Sequence, residues 1–184
     1  MARPDPSEYV AHYESYVSLV PEEDILEAMR SELGRTVDFL TGVSDREASI
    51  CHPPYTWTAK QVVGHLTDCE RIFGYRALRI ARGDSTPLPG FDENTYAQTA
   101  EFDQHPLTDL VAEFQTVRQS HLSLFQNLPP KAWALRGTAN GDGVSVRGLA
   151  YIIVGHERHH AAILRQRLSR PTASASDYPL TKSL

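Results

Sequence analysis

Of the eight histidines in the 184 residues, two stand at a spacing with chemical meaning. In the run Gly155-His156-Glu157-Arg158-His159-His160, His156 and His160 are four residues apart. On an α-helix that spacing places two imidazoles on one face, one turn apart, where they can grip a single metal ion. The same face carries Leu149, Ile153, Ile163 and the stem of Arg167, so the pair is expected to look into a core. His159 is a weaker candidate because, at roughly 100° per residue, it lies about 80° from the centre of that face. Two ligands rarely suffice, so the chain must supply a third.

That third imidazole is His65. Thr58-Ala59-Lys60-Gln61 fits a capping box, and Trp57 can staple onto Val62 across it, so a helix is expected to start there. Its apolar stripe runs Val62, Leu66, Cys69, Phe73, Ala77 and Ile80, with His65 beside it on the inward side. Asp68 is placed to orient the His65 ring, and Cys69, one turn on, could add a thiolate or serve as a small hydrophobe. Glu70, Arg71, Arg76 and Arg79 read as a solvated face, although an arginine near the bundle mouth could hold an anionic substrate. His121 competes as a ligand, its plainer reading being a hydrogen-bonded core residue. Burying an imidazole without a partner costs free energy, so three inward histidines on two helices need a shared reason, and one divalent ion would be it. Three neutral nitrogens leave coordination positions open, as in catalytic sites, and suit zinc, nickel, copper or iron. The chain has no GxSxG, no Gly-rich phosphate loop and no EF-hand loop, and no histidine follows His160 to complete a zincin-type site. Glu157 is expected to lie out of phase with the inward face, and stays open as a base.

Four amphipathic segments must position these residues. The first is read from Pro21, with Glu22, Glu23 and Asp24 in its first turn and Ile25, Met29, Leu33, Val37 and Leu40 facing inward, up to a stop at Gly42. The second is the His65 helix. The third runs from about Thr108 to Leu128, with Leu110, Phe114, Val117, Leu124 and Leu128 inward, and ends at Pro129-Pro130. The fourth, Ser145 to Ser169, carries the His pair, capped by Ser145 and stapled by Val144 on Leu149. Between them lie loops over 43–55, 83–106 and 131–144, the middle one long enough to wall a pocket. No segment shows convincing β alternation. The expected fold is all-α, a four-helix bundle over 21–170 with long crossing loops, a tyrosine-rich arm over 1–20 docked through Tyr9, Tyr13 and Tyr16, and a polar C-terminal tail over 171–184.

A chain this long can bury a core without a structural metal, so an ion here would serve chemistry. The net charge of −5 is spread along the sequence with no basic block, which argues against a nucleic-acid partner. Cys51 and Cys69 lack CxxC spacing, the N-terminus lacks the apolar run of a signal peptide, and no segment approaches the ~20 apolar residues of a membrane span. A soluble, cytoplasmic protein is expected.

The stretch Trp57-Thr58-Ala59-Lys60-Gln61-Val62-Val63-Gly64-His65-Leu66-Thr67-Asp68-Cys69-Glu70-Arg71, followed much later by His156-Glu157-Arg158-His159-His160, resembles the DinB-like superfamily. The resemblance extends from about Pro21 to Arg170. It implies a four-helix bundle, often a homodimer, in which His65, His156 and His160 hold one divalent metal ion (Zn, Ni or Fe). Members of known activity are similar to thiol-dependent S-transferases and isomerases that use a small thiol such as bacillithiol or mycothiol. The function expected is therefore a metal-dependent thiol S-transferase acting on an electrophile. The alternatives are a metal-dependent hydrolase that activates water and a non-catalytic bundle that binds a metal or ligand.

Overall fold

Seven α-helices, four short 3-10 helices and one β-hairpin lie within residues 2–168, the span that the computed structural model describes. The tail expected over 171–184 lies outside it. The helices are α1 (Glu14–Val17), α2 (Ile25–Thr41), α3 (Asp45–Ala48), α4 (Ala59–Ala81), α5 (Glu93–Thr99), α6 (Leu107–Gln126) and α7 (Val146–Leu168), and the strands are β1 (Arg136–Ala139) and β2 (Asp142–Ser145). The four long helices α2, α4, α6 and α7 form the expected bundle. Neighbouring pairs are α2 with α6, α6 with α4, α4 with α7 and α7 with α2, so the consecutive helices α2 and α4 stand diagonally and their connection must cross the bundle end.

Local chemistry sets the boundaries. Asp24 accepts a hydrogen bond from the Glu27 backbone N–H at 3.0 Å, so α2 starts four residues later than expected. Glu22, freed from the first turn, instead accepts from the Arg158 guanidinium at 2.7 and 2.8 Å. The three loops also hold more regular structure than expected. The first contains α3, capped by Ser44 and Glu47, and the second contains α5, capped by Asp92. The third holds the hairpin, its strands paired from Arg136↔Ser145 to Ala139↔Asp142. Its two-residue turn is Asn140-Gly141, both with positive φ (55° and 86°), the backbone that a tight hairpin requires. Leu88 adds to the Ala139 edge, its N–H donating to the Thr138 carbonyl at 2.9 Å.

A polar centre divides the core. Around Val62, Phe102, Leu107 and Leu164 lies one apolar cluster, and around Met29, Phe73, Phe125 and Ile152 lies another. Between them Arg118 on α6 is wholly buried and reaches all three of the other long helices. Its Nε donates to Glu70 of α4 at 3.0 Å, its Nη1 donates to the Met29 carbonyl of α2 at 3.3 Å, and the same Nη1 lies 2.7 Å from Glu157 of α7. These contacts overturn two expectations. Glu70 and Arg76 are not on a solvated face, being 4 % and 3 % exposed, and Glu157 is fully buried. The inward stripe of α6 is correspondingly Leu110, Phe114, Arg118, His121 and Phe125, with Val117 and Leu124 only half-buried.

Candidate metal centre

The α4 capping box is formed as expected: Thr58 Oγ1 accepts from the Gln61 N–H at 3.1 Å, and Gln61 Oε1 accepts from the Thr58 N–H at 2.9 Å. From that start the residues Val62, Leu66, Cys69, Phe73, Ala77 and Ile80 are all buried, and His65 is 7 % exposed beside them. On α7, Ser145 Oγ accepts from the Gly148 N–H at 2.8 Å, which sets the rotation of the helix. Ser145 in turn donates to Glu8 at 2.6 Å, tying α7 to the N-terminal arm. The arm then runs against α7 at Gly155, where a Cβ would lie 2.1 Å from the Tyr16 carbonyl oxygen. Glycine is what allows that approach. The Tyr16 ring consequently meets His156 edge-on at 5.3 Å between centroids.

The three expected imidazoles come together between α4 and α7. Ring centroids are 5.0 Å apart for His65 and His156, 5.0 Å for His65 and His160, and 4.6 Å for His156 and His160. His65 Nε2 and His156 Nε2 face each other at 3.1 Å. Two nitrogens bound about 2.0–2.1 Å from one ion stand roughly 3.0–3.4 Å apart in octahedral or tetrahedral geometry, so this pair is spaced for a shared cation. Cys69 Sγ lies 3.6 Å from both His65 ring nitrogens. Donor atoms of His65, Cys69 and His156 all lie within 4.8 Å of one another, a group that does not include His160. Two donor sets, with His160 or with Cys69 as the third member, therefore converge on one place.

Electrostatics suits the imidazoles to ligation. Burial pushes His65 down to about 4 and His160 to about 3, and holds His156 well below its ordinary value with help from the neighbouring rings. All three are neutral at neutral pH, the form that binds a metal. Cys69 is the opposite case, because burial pushes its thiol up and keeps the proton on sulfur.

The other candidates separate cleanly. Asp68 does not orient His65; it lies 3.7 Å from Arg71 instead. His121 is a packed core residue, its Nδ1 2.8 Å from Glu70 and its ring filling the space left by Gly74, where a Cβ would lie 1.9 Å from Nε2. Burial would raise Glu70, but Arg118 and His121 overcome it and hold the carboxylate ionised. At Glu157 burial prevails over Arg118 and raises the carboxyl, and neither oxygen has a well-aligned hydrogen bond although Arg118 is close. His159 is exposed, edge-on to Tyr16 at 5.4 Å.

A cavity of about 390 Å³ opens from the histidine cluster. Its walls are aromatic, built from Tyr13, Tyr16, Trp57, Phe73 and Phe91, and His12, Glu93 and Asn94 stand exposed at its mouth. Of the arm tyrosines, Tyr13 and Tyr16 border the pocket while Tyr9 is buried in the core, and the 83–106 connection walls the pocket. Asn140 of the hairpin turn also lines it. No helix among the described residues is long and apolar enough to cross a membrane.

A family model described as the DinB superfamily matches residues 27–164, well over half of the chain. No curated protein sequence matches it. Among solved structures, the chain is similar to YfiT from Bacillus subtilis, described as a probable metal-dependent hydrolase with an unusual four-helix bundle topology. The TM-score is 0.68 at 16% identity, over 92% of this chain and 95% of that one. It is also similar to the mycothiol-dependent maleylpyruvate isomerase, with a TM-score of 0.66 at 16% identity, over 79% of this chain and 61% of that one. At such identities the likeness shows the fold.

Proposed function

We propose, for a chain that belongs to the DinB superfamily, a metal-dependent enzyme in which His65, His156 and His160 hold one divalent ion and a small thiol is transferred to an electrophilic carbon. The observation that carries this reading is the convergence of three neutral imidazoles, two buried and His160 half-buried, at the inner end of an aromatic-walled cavity. A bound ion would supply Lewis acidity, lowering the pKa of a thiol or water held beside it. The chain's own residues do the rest. Tyr16, edge-on to His156, fixes that ring's tilt. Trp57, 4.9 Å from the His65 ring, and Phe73, 6.0 Å from the His156 ring, keep bulk water from the cluster. Water activation would need little room, whereas about 390 Å³ lies within the range of small-molecule sites, which favours an organic nucleophile and acceptor.

The second reading, hydrolysis, is supported by the description of YfiT as a probable metal-dependent hydrolase. Metal content and thiol conjugation to monochlorobimane, measured on untagged parent and His156→Ala, test the proposal. The variant is expected to lose both the bound ion and the conjugation. Equal metal occupancy in the two proteins would reject the ligand assignment, and ester cleavage by the metal-loaded parent without any thiol would favour the hydrolase.

A further inference from the structure

Three arginines are buried to within a few per cent of full enclosure: Arg76, Arg118 and Arg167. Arg118 is clasped by Glu70 and Glu157. Arg167 packs over the Tyr55 ring, donates to the Trp57 carbonyl and does not line the cavity. Arg76 is different. It is 3 % exposed, lines the cavity that holds the histidine cluster, and among the described residues has no carboxylate within ion-pairing distance. Its helix neighbours Arg71 and Arg79 do have carboxylate partners, Asp68 and Glu113 for the first and Asp84 for the second. The Arg76 Nη2 donates to the Pro89 carbonyl at 2.8 Å, and the Tyr13 hydroxyl is close enough to interact with the same guanidinium. Its guanidinium carbon sits 5.7 Å from the Phe73 ring centroid and 6.0 Å from that of Phe91, so two aromatic faces hold the cation in place.

A guanidinium taken out of water needs compensation, and one carbonyl, two ring faces and a neighbouring tyrosine hydroxyl supply no negative charge. Glu93 does not supply the balance: it is exposed at the mouth, and its charge is felt by His65. We infer that Arg76 is the anion-binding residue of this cavity and that the molecule it takes is an organic carboxylate, bound in two-pronged fashion by the guanidinium. The inference deepens the proposed function by naming the substrate class. Phe73 is a neighbour of both groups, its ring centroid 5.7 Å from the Arg76 guanidinium carbon and 6.0 Å from the His156 ring. A substrate held by Arg76 and reacting at the histidine cluster would therefore pass the Phe73 ring, which suits an apolar or aromatic spacer.

The test compares 4-phenylbutyrate with its neutral amide by calorimetry, on the protein as purified and again after EDTA treatment. Binding of the carboxylate is expected to be on the order of ten- to a hundredfold tighter than that of the amide. The preference should collapse in Arg76→Gln and survive in part in Arg76→Lys. The parent alone suffices if Arg76→Gln does not fold, because the Arg76 Nε–H resonance should shift when the carboxylate is titrated and stay still with the amide. Equal affinities, binding of neither probe, or a preference that persists in Arg76→Gln would overturn the assignment. The EDTA arm separates the two readings: loss of the metal proposal leaves the carboxylate preference standing, and a metal-loaded protein without that preference sinks only the role of Arg76.

Discussion

The competition between His160 and Cys69 for the third ligand position is decided by protons. At pH 6, an ordinary histidine with a pKa near 6.5 is roughly three-quarters protonated, so three such residues would release about two protons on binding an ion. Burial changes that count. With His65 at about 4 and His160 at about 3, about one molecule in a hundred or fewer carries a proton on either ring at pH 6. His156 lies well below its ordinary value as well. A His65–His156–His160 set should therefore bind an ion with almost no proton release, and its affinity should be flat between pH 5.5 and 6.5. Cys69 carries its proton throughout that range, so its entry as a thiolate releases one proton per ion and raises affinity about tenfold per pH unit. Working below pH 7 keeps ionisation of bound water out of the count. Calorimetric titration of zinc into metal-free protein, in two buffers of different ionisation enthalpy, reads the number directly. A value near zero supports the three imidazoles, and a value near one that vanishes in Cys69→Ala places sulfur on the ion. Two or more protons would refute the premise that burial keeps these rings neutral.

The same burial makes the metal-free protein acid-sensitive. The folded pKa of His65 lies below the unfolded value of about 6.5, so between the two the unfolded chain takes up a proton that the folded chain refuses. Stability should fall as pH drops below 6.5, by about 2 kcal/mol from His65 alone at pH 5, and urea melts at pH 7 and pH 5 that coincide would contradict this. Gly155→Ala should act through the backbone, because the new Cβ would meet the Tyr16 carbonyl at 2.1 Å and no flexible side chain is there to give way. Lifting the arm should cost about 1–3 kcal/mol and speed amide exchange over residues 11–17, and unchanged melting with unchanged exchange would remove the arm from the account.

What could be read from the residues alone was what a single helix dictates. The α4 stripe and both caps depend on neighbours three or four positions away, and all of them stand where periodicity put them. The choice of His65, His156 and His160 was of the same kind, and so was Cys69, one turn from His65 on the same face. Ranking Cys69 against His160 needs the distance between two helices, which no period contains. The hairpin escaped because its strands have four residues each and are rich in Gly, Thr and Asp, too short and too polar to alternate. The buried charges escaped for a deeper reason. Glu70, Arg118 and Glu157 each look like surface residues on their own helix, and only the diagonal placement of α6 and α7 across the bundle brings one guanidinium and two carboxyl groups to its axis.

Glu157 shows where one-face reasoning breaks. A helix at a bundle's edge has an inside and an outside, and a residue about 100° from His156 should then approach the outside. From Gly148 to Glu157, however, every residue of α7 is buried. The helix is enclosed by α2 and α4 on its bundle side and by the N-terminal arm on the side that would otherwise meet water. The arm can close there only because Gly148 and Gly155 lack side chains: a Cβ at either would come within 2.9 Å of the backbone of Glu8 or Tyr16. Enclosure is what makes both faces of α7 interior, so one carries the imidazoles toward the cavity while the next carries a carboxyl toward Arg118. The two glycines, the Glu8 ties to Ser145 and Arg147, and the low basicity of His156 are thus parts of one arrangement. Detaching the arm should both open the cavity wall and return the histidines toward ordinary basicity, so the proton count on metal binding would rise together with amide exchange in the arm.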